Sequence, residues 1–252
     1  MFVRFVRLRV RAGDEARFSD WYRARVIPAL SEMQGCDFAG LLTPWRGEDH
    51  RSLTIWRNPG AAAAYERSGL YRQLLDEAAP MLSSQTEWRV RLARDDSELE
   101  TSEVPEAPTE GFVIDAGDGA AGRLGKAFDT AFVRIVSIRV DPDHIGEFIT
   151  AWSNRILPAL QGRQGFRGGL LAENVDADGS CLSISIWDRE EDAARYEMSG
   201  TFDQLTEEVK GTFSPVYSWK MLLGQGRDAR DQAPRVSSYQ LVLGKRLARR
   251  GE

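Results

Sequence analysis

The sequence predicts an α+β fold in which one β-α-β-β-α-β unit is built twice in tandem. Three observations predict it: segments that return in the same order, period-two alternation opening each half, and helical apolar spacing directly after it. FVRFVRLRV from Phe2 returns as FVRIVSIRV from Phe132, and RVIPAL at Arg25–Leu30 returns as RILPAL at Arg155–Leu160. QGCDFAGLL from Gln34 returns as QGFRGGLL from Gln164, LTIW ending at Trp56 as ISIW ending at Trp187, and AYERSGLYRQL from Ala64 as RYEMSGTFDQL from Arg195. Self-similarity in fixed order is the mark of a duplicated structural unit.

Each element follows from its residues. The first strand sets Phe2, Arg4, Val6, Leu8 and Val10 on one face and Val3, Phe5, Arg7 and Arg9 on the other. A helix follows, opened by Asp14 and Glu15 in one half and by Asp141-Pro142-Asp143 in the other, residues suited to a first turn. Ile145, Phe148, Ile149, Trp152, Ile156 and Leu160 keep the spacing of one buried helical face. Pro28 and Pro158 are expected to bend or end that helix near its last turn. A strand through Gly-Leu-Leu, a turn, and a strand ending in Ile-Trp come next. A second helix starts near Ala61 and Glu191 and carries Tyr-Glu-x-Ser-Gly, and a closing strand holds Trp88 or Trp219. This order is the ferredoxin-like unit.

The expected layout is a domain over residues 1–92, an acidic and Gly-rich connector over 93–130, a second domain over 131–223 and an extension over 224–252. EGFVID at Glu110–Asp115 and SSYQLVLG at Ser237–Gly244 lie at similar distances beyond their closing strands. One extra strand after each repeat is therefore expected, near 111–115 and 237–244, crossing to the partner sheet. The basic tail (Lys245, Arg246, Arg249, Arg250) could also pair with the acidic connector.

Composition bounds the function. A net charge of −5 over 252 residues argues against an extended nucleic-acid surface. No apolar run approaches the length of a membrane span, and the N-terminus lacks a signal-peptide core, so a cytoplasmic chain without membrane contact is expected. Cys36 and Cys181 do not correspond between halves and read as structural. Two histidines cannot build a His-rich metal centre, so no metal is expected. No phosphate-binding glycine motif follows a strand, and the glycine-rich Gly117–Gly125 lies in the connector.

The alternating strand, the Gly-Leu-Leu strand, the strand ending in Trp and the Tyr-x-x-Ser-Gly helix together resemble antibiotic biosynthesis monooxygenase domains, over about residues 1–92 and 131–223. The resemblance implies that the two halves meet as an α+β barrel within one chain, leaving further homodimerisation open. It also implies an oxygenase of aromatic, polyketide-like phenols or quinols that uses molecular oxygen. Such enzymes need either no cofactor or, in ring-opening two-domain relatives, reduced flavin (FMN or FAD). Trp56 and Trp187 occupy the place of a pocket tryptophan in anthrone-oxidising members, and Tyr65 and Tyr196 that of a helix histidine in many relatives. His50 and His144 are not on the second helix, where haem-degrading relatives carry their ligand. The family's first-strand asparagine is missing: arginines (Arg4, Arg7, Arg9, Arg134, Arg139) stand in those strands instead.

From spacing, Arg25 and Arg155 fall one turn past Tyr22 and Trp152, where a guanidinium could hold a phenolate. Trp187, Tyr196 and Arg155 are thus the expected catalytic residues. Trp152, Trp56, Tyr65, Arg25 and Tyr22 are the expected substrate-binding residues. The alternative reading is a non-catalytic small-molecule-binding or structural protein on the same scaffold, since no base with an orienting partner is visible. A third reading makes one half a structural partner of the other.

Overall fold

The computed structural model describes residues 1–44, 49–83, 109–114, 131–174, 179–215 and 235–246. β1 (Phe2–Arg9) alternates as its sequence requires: Phe2, Val6 and Leu8 pack outward under helices, while Val3 and Phe5 point into the barrel. α1 (Glu15–Trp21), a π-helical turn (Tyr22–Val26) and α2 (Ile27–Ser31) follow, then the hairpin β2 (Cys36–Pro44) and β3 (Asp49–Trp56). α3 (Pro59–Arg67) and α4 (Leu70–Ala78) complete the first set, and β4 covers Thr109–Ile114. The second half repeats the order: β5 (Ala131–Arg139), α5 (Ile145–Ala151), a π-helical turn (Trp152–Ile156), α6 (Leu157–Gln161), β6 (Phe166–Asn174), β7 (Ser180–Trp187), α7 (Glu190–Met198), α8 (Thr201–Val209) and β8 (Arg235–Arg246).

The strands close into one antiparallel barrel in the order β1-β3-β2-β8-β5-β7-β6-β4. The extra strands close it: β4 pairs with β1 of its own half and β6 of the other, and β8 pairs with β5 and β2. An eight-stranded barrel is just wide enough for side chains to fill. Here Val3, Phe5, Leu42, Val133, Ile135 and Ile184, among others, do so from both halves. The expected closing strands at Trp88 and Trp219 lie outside the described residues. Just before them, Leu82 bridges to Val10 and Phe213 to Val140. The expected pairing of connector and basic tail also lies outside them, since no side chain of those segments is described.

Two local features differ from expectation. The prolines do not end the first helix. Pro28 has no N–H and its ring would clash with the carbonyl four residues back, so the backbone widens there. The Ile27 N–H reaches the Tyr22 carbonyl, Leu157 reaches that of Trp152, and the helix continues to Ser31 and Gln161. The second helix is in fact two, broken where Gly69 and Gly200 adopt φ of +78° and +72°. The Ser68 hydroxyl caps the break by donating to the Tyr65 carbonyl at 2.6 Å and accepting from the Leu70 N–H at 3.3 Å. Ser199 does the same for Tyr196 and Thr201. The break lets α4 and α8 fold over the outer face of the sheet, forming a hollow on each half.

Candidate functional site

Each hollow lies between the outward face of the first strand and the helices. Arg4, Tyr22, Tyr65, Tyr71 and Leu75 contribute to the N-terminal one, which holds about 430 Å³ of empty space counting its open mouth. Arg134, Trp152, Tyr196, Phe202 and Thr206 contribute to the C-terminal one, of about 470 Å³ on the same basis.

The central feature of both is a buried arginine in the middle of an otherwise apolar strand face. The Arg4 and Arg134 side chains are each only 3% exposed. Arg4 Nε donates to Glu66 Oε1 at 2.9 Å, and Arg134 Nε to Glu197 Oε1 at 2.5 Å. Their guanidinium planes lie against aromatic rings, Arg4 at 4.2 Å from the Tyr71 centroid and Arg134 at 4.3 Å from that of Phe202. In each, Nη2 is buried and makes no hydrogen bond. A buried charged donor without an acceptor is costly, and an incoming anion would satisfy it.

Of the residues singled out from sequence, Tyr22, Tyr65, Trp152 and Tyr196 line the hollows. Trp56 and Trp187 lie behind them, fully buried. Tyr65 stacks on Trp56 at 5.3 Å between ring centroids, and Tyr196 on Trp187 at 5.5 Å. The indole N–H groups are already committed, Trp56 to Thr54 Oγ1 at 2.8 Å and Trp187 to Ser185 Oγ at 2.9 Å. Burial raises the Tyr65 and Tyr196 phenols above their ordinary value, with the nearby arginines only partly opposing it. Both remain protonated near neutral pH, able to donate a hydrogen bond and unable to act as bases.

Arg25 and Arg155 stand elsewhere. The π-helical turn rotates less per residue than an α-helix, so the third residue after Tyr22 or Trp152 swings away from the hollow and into solvent. Arg25 instead clamps Glu77 on α4, Nη2 to Oε1 at 2.7 Å and Nε to Oε2 at 3.0 Å. That hydrogen bonding lowers the Glu77 carboxyl to about 2. Arg155 faces Glu208 on α8 at 3.8 Å. Both tie the first helix to the last one over the hollow.

Arg4 and Arg134 are the residues that sequence reasoning passed over. The signal was present: one arginine interrupting the apolar face Phe2, Val6, Leu8, and again in Phe132, Val136, Ile138. Cys36 is a buried thiol pushed up to about 12, which suits packing rather than nucleophilic attack. Among the described residues, no group of three or more His, Cys, Asp or Glu is placed to hold a metal, and no helix is long and apolar enough to cross a membrane.

The hydroxyls divide the two hollows. In the N-terminal one, Tyr22 donates to the Gly40 carbonyl at 3.1 Å, so at 2.8 Å it is Ser52 that donates to Tyr22. Thr54 donates to the Arg4 carbonyl at 3.3 Å. In the C-terminal one, Trp152 replaces Tyr22, and an indole only donates. Trp152 Nε1 gives its hydrogen to Ser183 Oγ at 3.0 Å. Ser183 and Ser185 each accept from a tryptophan, and among the described residues no acceptor takes their own hydrogens.

A closed α+β barrel of two ferredoxin-like units, with an arginine-centred hollow on each, defines the structural class. Residues 131–208 match the family model described as antibiotic biosynthesis monooxygenase. Among solved structures, the chain is similar to a candidate monooxygenase from Fusobacterium nucleatum, with 10% identity, 97% of this chain and 94% of that chain covered, and a TM-score of 0.64. A counterpart from Lactobacillus acidophilus shows 12% identity, coverage of 98% and 96%, and a TM-score of 0.63. An anthrone oxidase-like protein shows 12% identity, coverage of 98% and 93%, and a TM-score of 0.53. Likenesses at this identity concern the fold. No curated protein matches the sequence.

Proposed function

We propose that the chain is an oxygenase of electron-rich aromatic phenols or quinols, with its reaction site in the C-terminal hollow. The observation that carries this reading is the buried Arg134 guanidinium, whose Nη2 has no acceptor, inside a hollow walled by aromatic rings. A flat substrate lies against Tyr196 and Trp152, and its phenolate or enolate oxygen accepts from Arg134. Stabilising that anion in a dry site lowers the substrate's pKa and raises the population able to give an electron to O2. The Ser183 and Ser185 hydroxyls supply two further donors to substrate or adduct oxygens. Trp187 holds Tyr196 from behind. For an anthrone the balance is complete without an external reductant: a ring CH2 and O2 become a ring C=O and water.

Among the described residues lining this hollow, Arg134 is the one cationic side chain, and this reading gives its unpartnered Nη2 to the substrate oxygen. No step here uses flavin. The family match to residues 131–208 supports placing the reaction in this half.

The test is oxygen uptake by the purified protein with a model anthrone, run with and without reduced flavin. One O2 consumed per anthrone converted to anthraquinone, without flavin, is the expected result. Substrate binding without uptake in either condition would overturn the oxygenase reading in favour of a binding protein.

A further inference from the structure

We propose that the N-terminal hollow is a second ligand site, with a different specificity: it binds a flat aromatic monoanion whose body is otherwise apolar. The inference concerns binding alone and does not depend on the reaction assigned to the other half. Its seat is Arg4, whose Nη2 is as buried and as unpartnered as that of Arg134. One rim carboxylate, Glu66 at 47% side-chain exposure, takes only Nε. The remaining face of the fork is available for a single carboxylate or phenolate.

Four polar hydrogens in and behind this hollow are spent within the protein. Ser52 spends its hydrogen on Tyr22, Tyr22 on Gly40, Thr54 on the Arg4 carbonyl and Trp56 on Thr54. What remains toward a ligand is the guanidinium, the Tyr65 phenol, the Tyr71 ring and aliphatic walls. At the mouth, Leu75 stands where the other hollow has Thr206. A ligand carrying further oxygens would leave unpaired here those that Ser183 and Ser185 would meet in the C-terminal hollow. Because unpaired buried polar groups discriminate strongly, one fold can hold two sites of separate specificity.

Titration calorimetry of the full chain with 2-naphthoate tests this, with 3,5-dihydroxy-2-naphthoate as the polar comparison. The expected result is 2-naphthoate binding that weakens about tenfold or more in Arg4→Met, as loss of a charge-assisted pair implies. The same binding should stay within about twofold in Arg134→Met. The dihydroxy compound should show the reverse dependence. Leu75→Trp fills the mouth without touching Arg4 and should also abolish 2-naphthoate binding, so the test stands if Arg4→Met fails to fold. No binding to the unmodified protein would overturn the proposal. So would binding that persists in Leu75→Trp, or that follows Arg134 rather than Arg4.

Discussion

Replacing Arg134 by methionine is expected to lower kcat for an anthrone or quinol by about 100- to 1,000-fold, the usual loss when one preorganised oxyanion donor is removed. The fold should survive the change. Methionine is unbranched and apolar, fits the space along the Phe202 ring, and removes a charge whose burial is only partly compensated. The partner left behind, Glu197, is 44% exposed and can be solvated where it stands. Replacing a poorly compensated buried charge by an apolar side chain is often neutral or stabilising. The signature is therefore a large fall in turnover with an unchanged or raised melting temperature. Steady-state oxygen uptake and thermal unfolding on the same preparation read both. An unchanged kcat would show that Arg134 does not hold the reacting anion.

The opposite pattern is expected at Trp187. Trp187→Ala should cost about 3–5 kcal/mol, the range for emptying a buried aromatic site. The ring is fully buried, stacks on Tyr196 and meets Phe166 edge-on at 5.4 Å between centroids. Trp187→Phe should be far milder, about 1–2 kcal/mol, because a ring still supports Tyr196 while Ser185 loses its indole donor. Turnover of the Phe variant should stay within severalfold of the parent, since the indole N–H is spent on Ser185 and does not face the hollow. Urea titration measures the stability terms. A Phe variant that is stable yet inactive would make the indole itself a reacting group.

The fold was legible wherever the signal was repeated or strictly periodic. Alternation in FVRFVRLRV sorted Val3 and Phe5 from Phe2, Val6 and Leu8, and the structure places these sets inside and outside the barrel. The similar offsets of EGFVID and SSYQLVLG located strands now seen at Thr109–Ile114 and Arg235–Arg246, joining both halves. The site was less legible, for two physical reasons. Helical spacing assumes one rotation per residue, and a single π-helical turn before Pro28 and Pro158 breaks that assumption. It keeps Tyr22 and Trp152 under the helix while Arg25 and Arg155 turn outward to Glu77 and Glu208. The second reason is that hydrogen-bond direction is invisible in sequence. That Tyr22 satisfies Ser52 whereas Trp152 leaves the Ser183 hydrogen available follows only once the atoms are placed. Arg4 and Arg134, by contrast, could have been found as charges interrupting an apolar strand face.

The most direct measurement is a crystal structure of the protein soaked with 1,8-dihydroxyanthraquinone, a product-like ring system bearing several oxygens. The account predicts the ring in the C-terminal hollow against Tyr196, with one oxygen about 2.7–3.2 Å from Arg134 Nη2 and others facing Ser183 or Ser185. A ring bound against Arg155, or inside the barrel, with Arg134 still bonded to Glu197 alone, would contradict it.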